Sequence, residues 1–281
     1  MTDGETPRGS DVASKEMGAE IDLSVPHSAR IWNYWMDGKD NFEVDRDAGE
    51  AYKAVFPEIV TIARESRRFL GRVVTYLAGE AGVGQFLDIG TGLPTADNTH
   101  EVAQRVAPDA CVVYVDNDPV VLAHARALLT STPQGATEYL DEDMHNAEAL
   151  LAKAAQVLDF TRPVAVLFMG VLGHVRHLHD AQKVVRVLLD AVPAGSYLAA
   201  YDGSAAPDTA FSKAQQEYDD TGALPYVLRA PAEIRSFFDG LEWVDPGFVS
   251  IPLWRPADTD LARIGGRPEP IDAFGGLARK A

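Results

Sequence analysis

The chain has 281 residues, 46% hydrophobic and 24% charged, enough to bury one substantial core and inconsistent with global disorder. A formal net charge of −17 argues against a phosphate-neutralising surface, so no nucleic-acid partner is expected. The single Cys111 excludes an intramolecular disulfide and a multi-thiolate zinc site. No apolar run reaches the ~18–20 residues of a membrane helix, and the polar N-terminus has no secretion-signal order, so a cytoplasmic protein without a membrane partner is expected.

Residues 1–25 lack apolar periodicity and read as a disordered tail. Residues 26–80 read as a helical cap or lid. Its first helix is short and aromatic, with Ile31, Trp32, Tyr34 and Trp35, and ends at Gly38. A second helix is expected from Glu43 to Val55. Pro57 then opens a long helix in which Ile59, Ile62, Ala63, Phe69 and Leu70 recur at helical spacing, with Arg64, Arg67, Arg68 and Arg72 on its other faces.

From residue 81 to 281 strands and helices alternate in a single α/β domain. Strands are expected at 86–89, 111–115, 136–140, 164–169 and 196–201. Helices are expected at about 98–107, 119–130, 146–157 and 180–191, then 207–219 and 231–238. This alternation predicts a mostly parallel Rossmann-like sheet covered on both faces. Leu241–Val244 and Gly247–Ile251, joined by Asp245-Pro246, predict an antiparallel terminal hairpin.

The first strand delivers the chain into Asp88-Ile-Gly90-Thr-Gly92. Glycines there admit a turn that other residues resist and let a ligand lie against bare backbone. At the second strand's end stand Asp116, Asn117 and Asp118 before Pro119. Asp118 suits the helix cap, which leaves Asp116 to accept hydrogen bonds from ribose hydroxyls. After the third strand, Asp143 beside Met144 can bond an adenine amino group and pack on its ring. A dinucleotide site would want a third glycine where Thr95 stands. Several carboxylates around one crevice also disfavour a pyrophosphate and favour the sulfonium and ammonium of S-adenosyl-L-methionine.

The segments Ala29-Arg-Ile-Trp-Asn-Tyr-Trp-Met-Asp-Gly-Lys-Asp-Asn-Phe42, Phe86-Leu-Asp-Ile-Gly-Thr-Gly-Leu-Pro94 and Val113-Tyr-Val-Asp-Asn-Asp-Pro119 closely resemble an actinobacterial family of S-adenosylmethionine-dependent methyltransferases of the DUF574 type, long catalogued as a domain of unknown function. The resemblance runs from about residue 26 to the end. It implies a class I methyltransferase fold with a seven-stranded sheet and extra N-terminal helices. It matches Asp88, Gly90 and Gly92 to the first methyltransferase motif, Asp116 to the ribose-binding acid, and Asp143 with Met144 to the adenine-binding pair. Pro94 stands where the general pattern has its third glycine, which stiffens the loop. A cation must neutralise the ligand's methionine carboxylate, and Arg64 is a candidate, against the alternative of a solvated helix arginine.

The fourth strand opens into Gly170-Val-Leu-Gly-His174-Val-Arg-His177-Leu-His179-Asp180. His174 is a candidate general base for the transfer, against the alternative of a structural loop histidine. His177, His179 and Asp180 fit no standard metal-site spacing, and no metal is expected. Trp32, Tyr34 and Trp35 either pack on the core or cover the acceptor pocket. The expected function is methyl transfer to a small-molecule acceptor, yielding S-adenosyl-L-homocysteine. A catalytically silent cofactor-binding module and, third, an NAD-dependent oxidoreductase are the alternatives. Oligomeric state is not legible.

Overall fold

The computed structural model describes residues 24–94, 97–128 and 131–281; the expected tail therefore lies almost wholly outside the described residues. Three helices come first: α1 (Ser28–Trp35), α2 (Glu43–Val55) and α3 (Ile59–Gly79). Pro57 sits in the turn ahead of α3 rather than inside it. The alternating part follows as β1 (Gln85–Ile89), α4 (Thr99–Val106), β2 (Cys111–Asp116), α5 (Pro119–Leu128), β3 (Ala136–Asp141), α6 (Ala147–Ala154), β4 (Ala165–Met169), α7 (Leu178–Asp190) and β5 (Tyr197–Gly203). Beyond it come α8 (Ala210–Asp219), α9 (Pro231–Arg235), β6 (Glu242–Trp243), β7 (Val249–Ser250), α10 (Asp258–Ile264) and β8 (Ala273–Arg279).

The sheet order is β3-β2-β1-β4-β5-β8-β6, with β7 also paired to β8. Strands β1 to β5 run parallel, and β8 is antiparallel to β5, β6 and β7. The sheet thus has eight strands rather than seven. The two segments expected to pair as a hairpin each pair with β8 instead. Strand β8, with Gly275-Gly276 inside it, is not among the strands expected from the sequence. The glycines answer a packing need: a Cβ at Gly275 would sit 2.2 Å from the Ala200 carbonyl oxygen, and one at Gly276 2.7 Å from that of Gly247.

Both faces of the sheet are buried, which explains the continuous apolar runs of β1, β2 and β4. Successive residues point to opposite faces. Phe86, Val112, Leu167 and Ala199 join one core with α1 to α3, while Leu87, Val113, Phe168 and Ala200 join the other with α6 and α7. Helix α3 is part of the sheet's own core, since Phe69, Val73, Val74 and Leu77 are fully buried there. Arg72 secures it to the C-terminal part, donating to the carbonyls of Trp254 and Ile251 and pairing with Asp260 at 3.0 Å.

The chain leaves β1 toward β2 and β3, then returns to place β4 on β1's other side. Strand order reverses between β1 and β4, and the crevice at their carboxyl ends is where such sheets take ligands.

Candidate functional site

A cavity of about 340 Å³ opens at that reversal, within the range of small-molecule sites. The glycine turn forms its floor. Gly90 and Gly92 both have positive φ, at 68° and 63°, which glycine alone adopts without strain. A Cβ on Gly90 would collide with Val171, whereas the space above Gly92 is nearly open.

Carboxyl groups from successive strand ends surround this floor. Asp88 is buried, accepts a hydrogen bond from Thr99 Oγ1 at 2.6 Å, and is pushed up to about 6 by burial. Asp116 is not free, as the sequence suggested: one oxygen accepts from the Gly92 amide at 2.9 Å and the other from the Asp118 amide at 3.1 Å. Burial still raises its pKa against those bonds. Each carboxylate oxygen has a second lone pair, so the group retains acceptor capacity toward the cavity. Asp118 caps α5, accepting from the Val120 amide at 2.8 Å. Burial raises the Asp118 carboxyl, but its hydrogen bond and charge pairing with His27, at 2.8 Å, leave it below the ordinary range.

Asn117, Asp143 and Met144 line the cavity at the far strand ends. Asp143 is half exposed and binds the amide and ring of His145. These bonds outweigh its burial and lower its pKa.

Arg64 lies outside the cavity. Its Nη2 pairs with Asp37 at 2.6 Å in an exposed ion pair, so it is not positioned for a ligand carboxylate. Helix α3 turns the adjacent Ser66 and Arg67, and Leu70 one helical turn further on, toward the cavity instead. Arg67 is the guanidinium facing the space, close enough to Asp88 to lower its pKa against the effect of burial. The sequence offered four arginines on this helix; the cavity takes Arg67, while Arg64 pairs with the exposed Asp37.

His174 stands in a short turn after β4, at the opposite wall. Its Nδ1 lies 3.0 Å from the Pro225 carbonyl, and its ring meets the edge of Tyr226 at 5.1 Å. A carbonyl can only accept, so Nδ1 carries the hydrogen and Nε2 keeps a lone pair. Burial depresses the pKa and favours this neutral form. His177 and His179 are exposed and do not line this cavity, and Asp180 falls in the first turn of α7. Among the described residues no group of three or more His, Cys, Asp or Glu side chains is placed to hold a metal ion.

A second, smaller cavity adjoins the first. Ser28, Trp32, Gly170, His174 and Tyr201 line both. Helices α1 and α2 wall it, joined by a buried ion pair of Arg30 and Asp45 at 2.8 Å. Sequence reasoning missed its inner side, Phe211, Gln215 and Tyr218 of α8 with Tyr226 beyond. No local motif marks these residues, which reach the cavity only through tertiary packing.

The donor set fits S-adenosylmethionine: carboxyls dominate, one guanidinium is present, and there is no nest of cations for phosphates. Among the described residues no helix is long and apolar enough to cross a membrane. Residues 14–281 match the family model described as S-adenosyl methyltransferase. The chain is 43% identical to a DUF574 family protein from Streptomyces avermitilis, with a TM-score of 0.86, covering 92% of this chain and 99% of that one. It is 38% identical to a protein from Thermobifida fusca named as a candidate methyltransferase, with a TM-score of 0.80, covering 92% and 96%. No curated protein matches. Fold, crevice and likeness agree, and the chain belongs to the S-adenosyl methyltransferase family, whose cofactor is S-adenosyl-L-methionine.

Proposed function

We propose that this protein transfers the methyl group of S-adenosylmethionine to a small-molecule acceptor held beside His174. One observation carries this reading: the large cavity runs from the acidic strand ends to His174, where it meets a second cavity without charged side chains.

Each end of the donor has a chemical counterpart. Asp116 accepts from the ribose hydroxyls while keeping its bonds to the glycine turn. Asp143 and Asn117 meet the adenine edge and Met144 its face. Arg67 neutralises the methionine carboxylate, in the role first considered for Arg64, and Asp88 faces the ammonium. The bare backbone of Gly90 and Gly92 lets the ligand approach closely. When bound, the donor supplies an activated sulfonium methyl, so alignment and exclusion of water account for most of the catalysis. Helices α1 and α2 serve as the wall that excludes water. His174 Nε2 takes up the proton that the acceptor's nucleophile gives up.

Calorimetry with S-adenosylmethionine, S-adenosylhomocysteine and NAD tests the donor: the first two should bind and NAD should not. Labelled methyl transfer into extract metabolites tests the reaction. Donor binding without any labelled product would reduce the protein to a silent binding module.

A further inference from the structure

His174 is held by a stretch of chain that has no regular secondary structure. Residues 225–229 run between α8 and α9, and they meet the turn at 172–175 group by group. The Pro225 carbonyl accepts from His174 Nδ1 at 3.0 Å, and the Val227 amide donates to the Gly173 carbonyl at 2.8 Å. Arg229, 2% exposed, donates to the carbonyl of Leu172 at 2.8 Å and to that of Val175. Irregular segments ordinarily turn their polar groups to water. This one turns them inward onto four consecutive residues.

Tyr226 anchors the segment. Its ring lies so close to the Gly173 backbone that a Cβ there would stand 2.2 Å from Cζ. Its hydroxyl donates to Asp202 Oδ1 at 2.7 Å and accepts from the Gly203 amide at 3.2 Å. The same Asp202 oxygen accepts from the Gly173 amide at 3.4 Å. One carboxyl near the end of β5 therefore holds both the histidine turn and the segment facing it. Asp202 Oδ2 is buried with no hydrogen-bond partner among the described residues. A buried acid with a bare oxygen is costly to the fold, so stability does not account for its place behind the candidate base.

We infer that Tyr226 and Asp202 are positioning residues for methyl transfer: they seat residues 225–229 so that the Pro225 carbonyl holds His174 with its hydrogen on Nδ1 and its lone pair on Nε2. The inference rests on the reading in which His174 receives the acceptor's proton. Neither residue lines the larger cavity, so both act through His174. A base displaced by about 1 Å can lose about a hundredfold in rate. When Nε2 takes up the proton, Nδ1 keeps its hydrogen and its carbonyl partner. The ring then passes the proton to solvent from Nε2 without turning.

NMR of isotope-labelled histidine rings in the full chain, saturated with S-adenosylhomocysteine, reads tautomer and titration; His174→Gln assigns the His174 signals. The wild-type ring should show one tautomer, protonated at Nδ1, and titrate below the ordinary histidine range because it is buried. Besides Tyr226, the titratable groups acting on it are His27 ahead of α1 and Asp219 at the end of α8, with Asp202 and Arg229 behind the turn. Tyr226→Phe keeps the ring and removes the hydroxyl. It should mix the tautomers, move the titration up toward the ordinary range, and cut labelled methyl transfer into extract metabolites by about tenfold or more. Affinity for S-adenosylmethionine should stay unchanged in calorimetry. Asp202→Ala should act likewise, whereas Asp202→Asn, which keeps an acceptor oxygen in place, should retain the single tautomer. Gly173→Ala pushes the Tyr226 ring away with every hydrogen-bonding group still present, and should also mix the tautomers. An unchanged tautomer in Tyr226→Phe or Gly173→Ala, a mixed one in Asp202→Asn, or full transfer by Tyr226→Phe would overturn the inference. Full transfer by His174→Gln would remove the base on which it rests. Failure of S-adenosylhomocysteine to bind would instead overturn the methyl-transfer reading.

Discussion

Five carboxyl groups and one guanidinium face the larger cavity, while seven aromatic side chains and no formal charge face the smaller one a few residues away. The first is built from strand ends and a glycine turn, whose places are set by the sheet. The second is built largely from helices added before and after the sheet's parallel half, closed by Gly170 and His174 after β4 and by Tyr201 and Gly203 of β5. The carboxyl-lined cavity rests largely on the shared scaffold, and the charge-free one largely on the additions. That division explains why the cofactor side can be read from motifs and the acceptor side cannot.

The largest break in this division should come from Asp45→Ala. It leaves the buried guanidinium of Arg30 without its partner and frees the amides of His27 and Phe42. Stability should fall by about 3–5 kcal/mol in urea unfolding.

A pH series separates the two regions next. Asp202, fully buried under the aromatic side, accepts from Tyr226 Oη at 2.7 Å, and burial pushes it up to about 7. Its unfolded value is about 4. Between these values the folded chain binds the extra proton, so stability from this group is complete below about pH 4 and is lost as pH rises through 7. Asp88, pushed up to about 6, acts in the same direction. Asp202→Asn should flatten its share of the decline, about 2–4 kcal/mol between pH 4 and 8, and leave the share of Asp88. A slope unchanged in the variant would refute the assignment to Asp202.

Asp116→Ala should weaken S-adenosylmethionine binding by about a hundredfold through lost charged hydrogen bonds. The smallest contrast is between two neighbouring arginines. Arg67→Ala should weaken donor binding about tenfold, whereas Arg64→Ala should change neither affinity nor stability by more than about 0.5 kcal/mol, as an exposed pair does. Equal effects from the two would mean that α3's cavity face has been misassigned.

These contrasts also mark what the sequence made legible. Asp88, Gly90, Gly92, Asp116, Asn117, Asp143, Met144 and His174 all face the first cavity, because strand ends in an alternating pattern converge on one edge of the sheet. Arg64 misled because helical spacing defines a face without saying what that face meets. The tie between Asp37 and Arg64 spans 27 residues and depends on how α1 turns into α2. Strand β8 was missed because its two glycines answer the close approach of Ala200 and Gly247, a tertiary fact. The aromatic cavity joins Tyr52 to Gln215 across 163 residues, beyond any local pattern.

The place of β8 has a consequence for how the protein is made. It is the last of the described strands in sequence, yet it lies in the sheet's interior between β5 and β6. Helix α3 leaves the ribosome early, but its Arg72 waits for Asp260, 188 residues later. Until residues 273–279 emerge, β5 has an open edge, and the strand bearing Tyr201, which both cavities share, is unsupported. Contacts of such sequence separation close slowly. Both cavities share a wall that is complete only once β8 supports β5.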